Sequence, residues 1–112
     1  MEMQHEDLGD VKRVVLVGRL DTKGVDIVET RFGAAIVPNG KNTIVDISQV
    51  TFLASMGIRM LISTTRALSR KGGKLVMYGA GIGVKDVIDT TALTDLIPLA
   101  SNEGEALNWV AR

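Results

Sequence analysis

The chain has 112 residues, 46% of them hydrophobic and 23% charged, with 13 Lys and Arg against 13 Asp and Glu. That length fits one domain whose core needs no disulfide or metal, and the composition excludes disorder. Zero formal net charge argues against a nucleic-acid partner, and the absence of cysteine removes disulfides, thiol catalysis and thiolate metal sites, which suits the cytoplasm.

Residues 1–9 are polar, carry Glu2, Glu6 and Asp7, and read as a polar N-terminal tail or an edge strand rather than a signal peptide. Residues 10–112 read as a single domain. With aromatics at only 4%, its core must rest on Val, Ile, Leu and Ala. Residues 11–20 form a strand around Val14-Val15-Leu16-Val17, ended by Gly18-Arg19-Leu20-Asp21. Residues 24–37 form a helix with Val25, Val28, Phe32 and Ile36 on one face, stopped by Pro38-Asn39-Gly40. A strand over 42–48 follows. The helix over 55–70 buries Ile58, Leu61, Ile62, Thr65 and Leu68, and Lys71-Gly72-Gly73 is its exit.

Residues 74–79 give a third strand and 84–91 a helix directing Val84, Val87 and Ile88 inward. Residues 96–99 give a short last strand whose Pro98 suits an edge. A final helix opens at Asn102, with Glu105 placed for a capping box. Strands and helices alternate, which predicts an α/β fold with a mostly parallel sheet of four to five strands and four helices. No apolar run approaches the roughly 20 residues that span a bilayer, so no membrane insertion is expected.

No catalytic constellation is legible, and no enzyme is expected. His5, the lone histidine, stands among polar residues without a partner for nucleophilic or metal chemistry. Gly79-Ala80-Gly81-Ile82-Gly83 lies between strand and helix, but a dinucleotide fingerprint would place its last glycine where Val84 stands. A flexible turn accounts for it, and a nucleotide or small-ligand site ranks last. Arg70-Lys71-Gly72-Gly73-Lys74 is the cationic end of a helix, where the dipole favours positive charge. Neither a metal nor a cofactor is expected.

The informative stretch is residues 43–58, where a strand passes through a short loop into a helix. Ser55 falls at the N-cap position, where serine accepts a bond from a free backbone N–H. A phosphate on it would sit at the positive end of the helix dipole. The helical wheel leaves Met56 and Met60 outward beside Arg59, Ser63, Arg66 and Arg70, a combination that suits an adaptable protein-binding surface.

Residues 44–58, then Leu61 and residues 71–76, resemble the STAS family of anti-sigma-factor antagonists. So do Gly18-Arg19-Leu20-Asp21, residues 86–89 and residues 93–97. The resemblance covers residues 10–110 and implies a mixed sheet whose first strand is antiparallel. It implies a partner-switching module that binds an anti-sigma factor serine kinase, is phosphorylated at Ser55, and is restored by a phosphatase. Gly57 matches the family glycine and Asp46 supports the site. Asp21, Thr22, Lys23 and Gly24 border the partner surface, with Ala54, Ser55, Met56, Gly57, Arg59, Met60 and Ser63. The family loop commonly reads Asp-Ser-Ser/Thr-Gly, whereas this chain reads Ala54-Ser55-Met56-Gly57. The alternative is a constitutive accessory subunit of a lipid-transport ABC system or a stress-sensing complex. A monomer or weak dimer is compatible with either.

Overall fold

The computed structural model describes residues 1–111. It opens with a hairpin: β1 (Glu2–Leu8) pairs antiparallel with β2 (Val11–Leu20) around Gly9, whose φ of 77° is the left-handed value such a turn requires. Residues 1–9 therefore hold an edge strand, not a loose tail. Only Met3 of β1 is partly covered, and Glu2, Glu6 and Asp7 keep the edge charged, which discourages another strand from adding there.

Helix α1 (Thr22–Ile36) buries Val25, Val28, Phe32 and Ile36, the face its periodicity predicts. It starts two residues before the expected boundary. There follow β3 (Asn42–Leu53), α2 (Ser55–Arg70), β4 (Leu75–Tyr78), α3 (Ile82–Thr90), a 3-10 turn (Leu93–Asp95), β5 (Leu99–Ala100) and α4 (Glu103–Val110). The sheet runs β1-β2-β3-β4-β5 in chain order, with β1 antiparallel and β2 to β5 parallel. The expected mixed, mostly parallel sheet with four helices is what forms.

Strand alternation divides the core between the two faces. Val14, Leu16, Val45, Ile47, Leu75 and Met77 pack with α1, α2 and α3, while Ile44, Val76 and Tyr78 point the other way against Ala106 and Val110 of α4. Each buried aliphatic side chain contributes about 1.5–3 kcal/mol.

Two expected boundaries are corrected. β3 does not end at Ser48; it continues to Leu53 beside β2, with register shifts between Val15 and Val17 and between Gly18 and Arg19. Each shift adds a residue to β3, so the inward positions move from Val45 and Ile47 to Val50 and Leu53. A strict period of two fails there. The strand expected over 96–99 is shorter and later: residues 96–98 follow the 3-10 turn without strand structure, and β5 is only Leu99–Ala100. Pro98 has no N–H to give a ladder, and its carbonyl accepts from the Met77 N–H at 2.9 Å.

The helix ends behave more simply. Gly72 takes φ 88° at the exit of α2, and Gly73 N–H returns to the Leu68 carbonyl at 3.1 Å. Asn102 caps α4 by accepting from Glu105 N–H at 2.9 Å, while a Glu105 carboxylate oxygen accepts from Ser101 N–H at 3.2 Å.

Candidate functional site

β2 and β3 end side by side, and each passes into a helix through one residue, Asp21 into α1 and Ala54 into α2. Ala54 N–H donates to the Leu20 carbonyl at 3.1 Å, carrying the β2–β3 pairing one step past Leu53. The two first turns are thus set by the same pair of strand ends.

The extended Ala54 (φ −113°, ψ 176°) is the N-cap of α2, so Ser55 is the first helical residue and not the cap expected from the sequence. The shift follows from the extra β3 residues, which keep the chain extended through position 54. Its consequence is chemical. A methyl group cannot accept a hydrogen bond, and the Ser55 side chain, exposed, is not used in capping. The first α2 bond is Ile58 N–H to the Ala54 carbonyl at 3.1 Å, and the N–H groups before it are the orphan donors of a helix start.

At α1 the equivalent donors are served. Asp21 Oδ1 accepts from Gly24 N–H at 2.9 Å, and Oδ2 accepts from Arg19 Nε at 3.2 Å. The Gly24 amide first, then the Arg19 guanidinium, hold the Asp21 carboxyl below its ordinary value, with burial opposing. Arg19 also lies over the Phe52 ring, 4.3 Å from its centroid, across the β2–β3 register. This half-exposed cation–aromatic pair borders the two loops and was not singled out from the sequence. The simple alternation that would have placed both on one face is broken by the register shifts.

Close packing anchors both turns. A Cβ on Gly24 would stand 2.0 Å from the Arg19 carbonyl oxygen, and one on Gly57 2.6 Å from the Leu20 carbonyl oxygen. Both glycines are buried, so they bring the turns against β2 and offer a partner no side chain. Thr22, Lys23, Ser55, Arg59 and Ser63 are exposed; Ala54 and Met56 are half-buried.

Two expectations are corrected here. Met60 does not point outward: it is 3% exposed. The buried face of α2 is Gly57, Met60, Leu61, Thr64 and Leu68, turned from the expected stripe because α2 packs on α1 as well as the sheet. Met56 is half-covered by the same core. Asp46 does not stand with Ser55. It lies mid-strand, accepting from Ser48 N–H at 2.9 Å and pairing with Arg13 at 3.5 Å. Arg13 also reaches Glu6, Glu103 and the Tyr78 hydroxyl, which joins β1, β3, β4 and α4. Burial pushes the Tyr78 phenol above its ordinary value, opposed by the Arg13 guanidinium.

At the end of β4, Gly79 (φ 83°) and Gly81, the cap of α3, make a turn. A Cβ at Gly81 or Gly83 would meet nothing within 4 Å, so neither glycine is required there by close packing. Among the described residues no helix is long and apolar enough to cross a membrane.

A STAS domain family model matches residues 2–106, and the chain belongs to that family. An anti-sigma F factor antagonist from Paenibacillus polymyxa is 25% identical over 108 residues, 96% of this chain and 91% of that protein. The solved structure of an anti-sigma factor antagonist from Mycobacterium paratuberculosis is 27% identical with a TM-score of 0.89, covering 99% of this chain and 94% of that one. The Bacillus cell fate determinant SpoIIAA in its phosphorylated form shares the fold at 21% identity, TM-score 0.70, over 97% of this chain and 99% of that one.

Proposed function

We infer that the protein is an anti-sigma factor antagonist that works by partner switching. It binds a kinase-type anti-sigma factor through the surface around Asp21–Lys23 and Ser55–Arg59, and phosphorylation of Ser55 ends that binding until a phosphatase reverses it. The observation that carries this reading is the state of Ser55: exposed, first in α2, and unused as a cap. The relatives' names support the antagonist role, and the phosphorylated SpoIIAA neighbour is consistent with the switch. The protein acts as a binding module, not an enzyme, in the cytoplasm.

The physics is local. A phosphate adds a charge of about −1.5 to −2, which the orphan amides of α2 accommodate. Arg59, four residues on, shares its helix face and can pair with it. In a docked complex the same charge would be desolvated against a surface evolved for a neutral hydroxyl, and binding is lost. Paired baits of wild type and Ser55→Asp, read by mass spectrometry, test this. A protein with a kinase-type ATP-binding domain should be captured by wild type and lost from the variant. Equal capture by both would sink the switch.

One observation favours a second reading, in which Ser55 is never modified. Ala54 lacks a carboxylate and Met56 a hydroxyl, both common in the family loop. A fixed accessory subunit of a lipid-transport ABC system or stress-sensing complex would bind its assembly regardless of position 55.

A further inference from the structure

Between the hairpin and α1 lies a cleft of about 420 Å³. His5 of β1, Lys12 of β2 and the Arg31, Ala34 and Ala35 side of α1 line it, with Met3 and Asn39. The space is left because only Met3 of β1 is partly covered; the rest of that strand is exposed. It lies far from Ser55. Lys12 precedes Leu20, at the exit of β2, by eight residues, roughly 26 Å of extended chain.

The polar groups decide what the cleft can hold. Lys12 is only 6% exposed, and an ammonium so far out of water is costly unless its donors are served. Asp7 serves one of its three N–H donors, at 3.0 Å, and among the described residues Lys12 has no other partner. Since Lys12 lines the cleft, an acceptor held there can serve the rest. Arg31 is exposed and makes no ion pair among the described residues, and the His5 ring makes no hydrogen bond among them.

The carboxylates nearby leave these cations in excess. No Asp or Glu lines the cleft. Asp7 is shared by Lys12 and Lys41, at 3.0 and 3.5 Å. Strand alternation turns Glu2 and Glu6 to the other face, where Glu6 pairs with Arg13. Glu29 lines the separate groove toward α2 with Arg59, and Asp26, five residues before Arg31, falls on the far side of α1. Asp10 stands in the hairpin turn, outside the lining. Lys12, Lys41 and Arg31 against Asp7 therefore leave a local surplus of two positive charges. The carbonyl end of α1 opposes an anion, which puts a negative group beside Lys12 and Arg31 rather than at Asn39.

We propose that this cleft binds a small phosphate monoester with a hydroxylated body, of the polyol or sugar phosphate class. A dianion matches the surplus of charge. The Arg31 fork takes two phosphate oxygens and the Lys12 ammonium a third, a demand that the two oxygens of a carboxylate cannot meet together. The Asn39 carboxamide faces the hydroxyl groups, and Met3, Ala34 and Ala35 carry the carbon chain. The volume lies within the roughly 300–1,000 Å³ of small-molecule sites.

The full chain, labelled with nitrogen-15, is titrated at constant ionic strength with glycerol 3-phosphate, succinate and glycerol while amide shifts are followed. Saturable shifts at Lys12 and residues 31–35 are expected with glycerol 3-phosphate, with a dissociation constant on the order of 1 mM. Succinate should bind about tenfold more weakly, and glycerol not at all. Arg31→Glu and Ala34→Phe both change exposed positions, so circular dichroism should stay the same while binding is lost. Ser55→Asp should leave binding intact, so this site stands or falls apart from the phosphorylation switch. Shifts centred on Gly57 and Ile58 would mean that the phosphate seeks the open start of α2 and would overturn the proposal. So would a non-saturating response, equal binding of succinate, or binding that survives Arg31→Glu.

Discussion

The first turns of α1 and α2 are nearly the same construction finished in two ways. Each follows directly from the end of a parallel strand, begins with a hydroxyl residue (Thr22 or Ser55), and has at its third helical position a glycine pressed against a β2 carbonyl. They differ at the cap. Asp21 closes the α1 turn with its own carboxylate, whereas Ala54 leaves the α2 turn open. The comparison teaches that packing and electrostatics are separable here. Glycine sets where each helix starts, and the residue before it decides whether an outside anion would find the amides already taken.

The largest effects should come from breaking what the turns share. Gly24→Ala places a methyl group onto the Arg19 carbonyl and is expected to cost upwards of about 3 kcal/mol, with Gly57→Ala close behind at about 2–3 kcal/mol. Urea unfolding measures both; a loss under about 1 kcal/mol in either would mean the strand end yields more easily than its ladder implies.

Next come the caps, where the two turns should move in opposite directions. Asp21→Ala should lower the Tm by several degrees and Ala54→Asp raise it by about as much. The pH dependence separates cap from packing. The Asp21 carboxyl is held below its unfolded value of 3.8, so its stabilisation is present above that pH and is lost as pH falls through the folded value. The gap between wild type and Asp21→Ala should therefore close in acid. A gap constant to pH 2, where about all carboxylates are protonated, would assign the loss to packing instead.

The smallest effect is the sharpest test of the open turn. Ser55→Ala should change stability by less than about 0.5 kcal/mol, because the hydroxyl caps nothing. Thermal unfolding would show a true cap as a drop of about 1 kcal/mol, restoring Ser55 to the role the sequence first suggested.

Much of the architecture was legible because helical periodicity survives contact with the fold. Val25, Val28, Phe32 and Ile36 lie on the buried face of α1 where the pattern puts them. The candidate site was harder. Ser55 was found through its loop, but its place in the helix was off by one because the extra residues of β3 are invisible to a count of alternating side chains. Met60 was misplaced for another reason. A wheel assumes one buried face, and α2 meets α1 and the sheet together. Asp46 was drawn to the site by a family resemblance, while the side chain that holds it, Arg13, lies 33 residues away in the chain.

The order of the strands bears on how the chain is made. Because β1 to β5 lie in the sheet in the order in which they occur in the sequence, each strand leaving the ribosome finds its partner already synthesised and docks at a free edge. No strand has to insert between two that are already paired, and no later segment is needed to complete an earlier hydrogen-bonded ladder. The β1–β2 ladder needs no later strand to complete its hydrogen bonds, and every further unit adds one strand and one helix to it. For a parallel sheet, whose long-range pairings are otherwise slow to find, growth from one edge confines the search to the most recent neighbour.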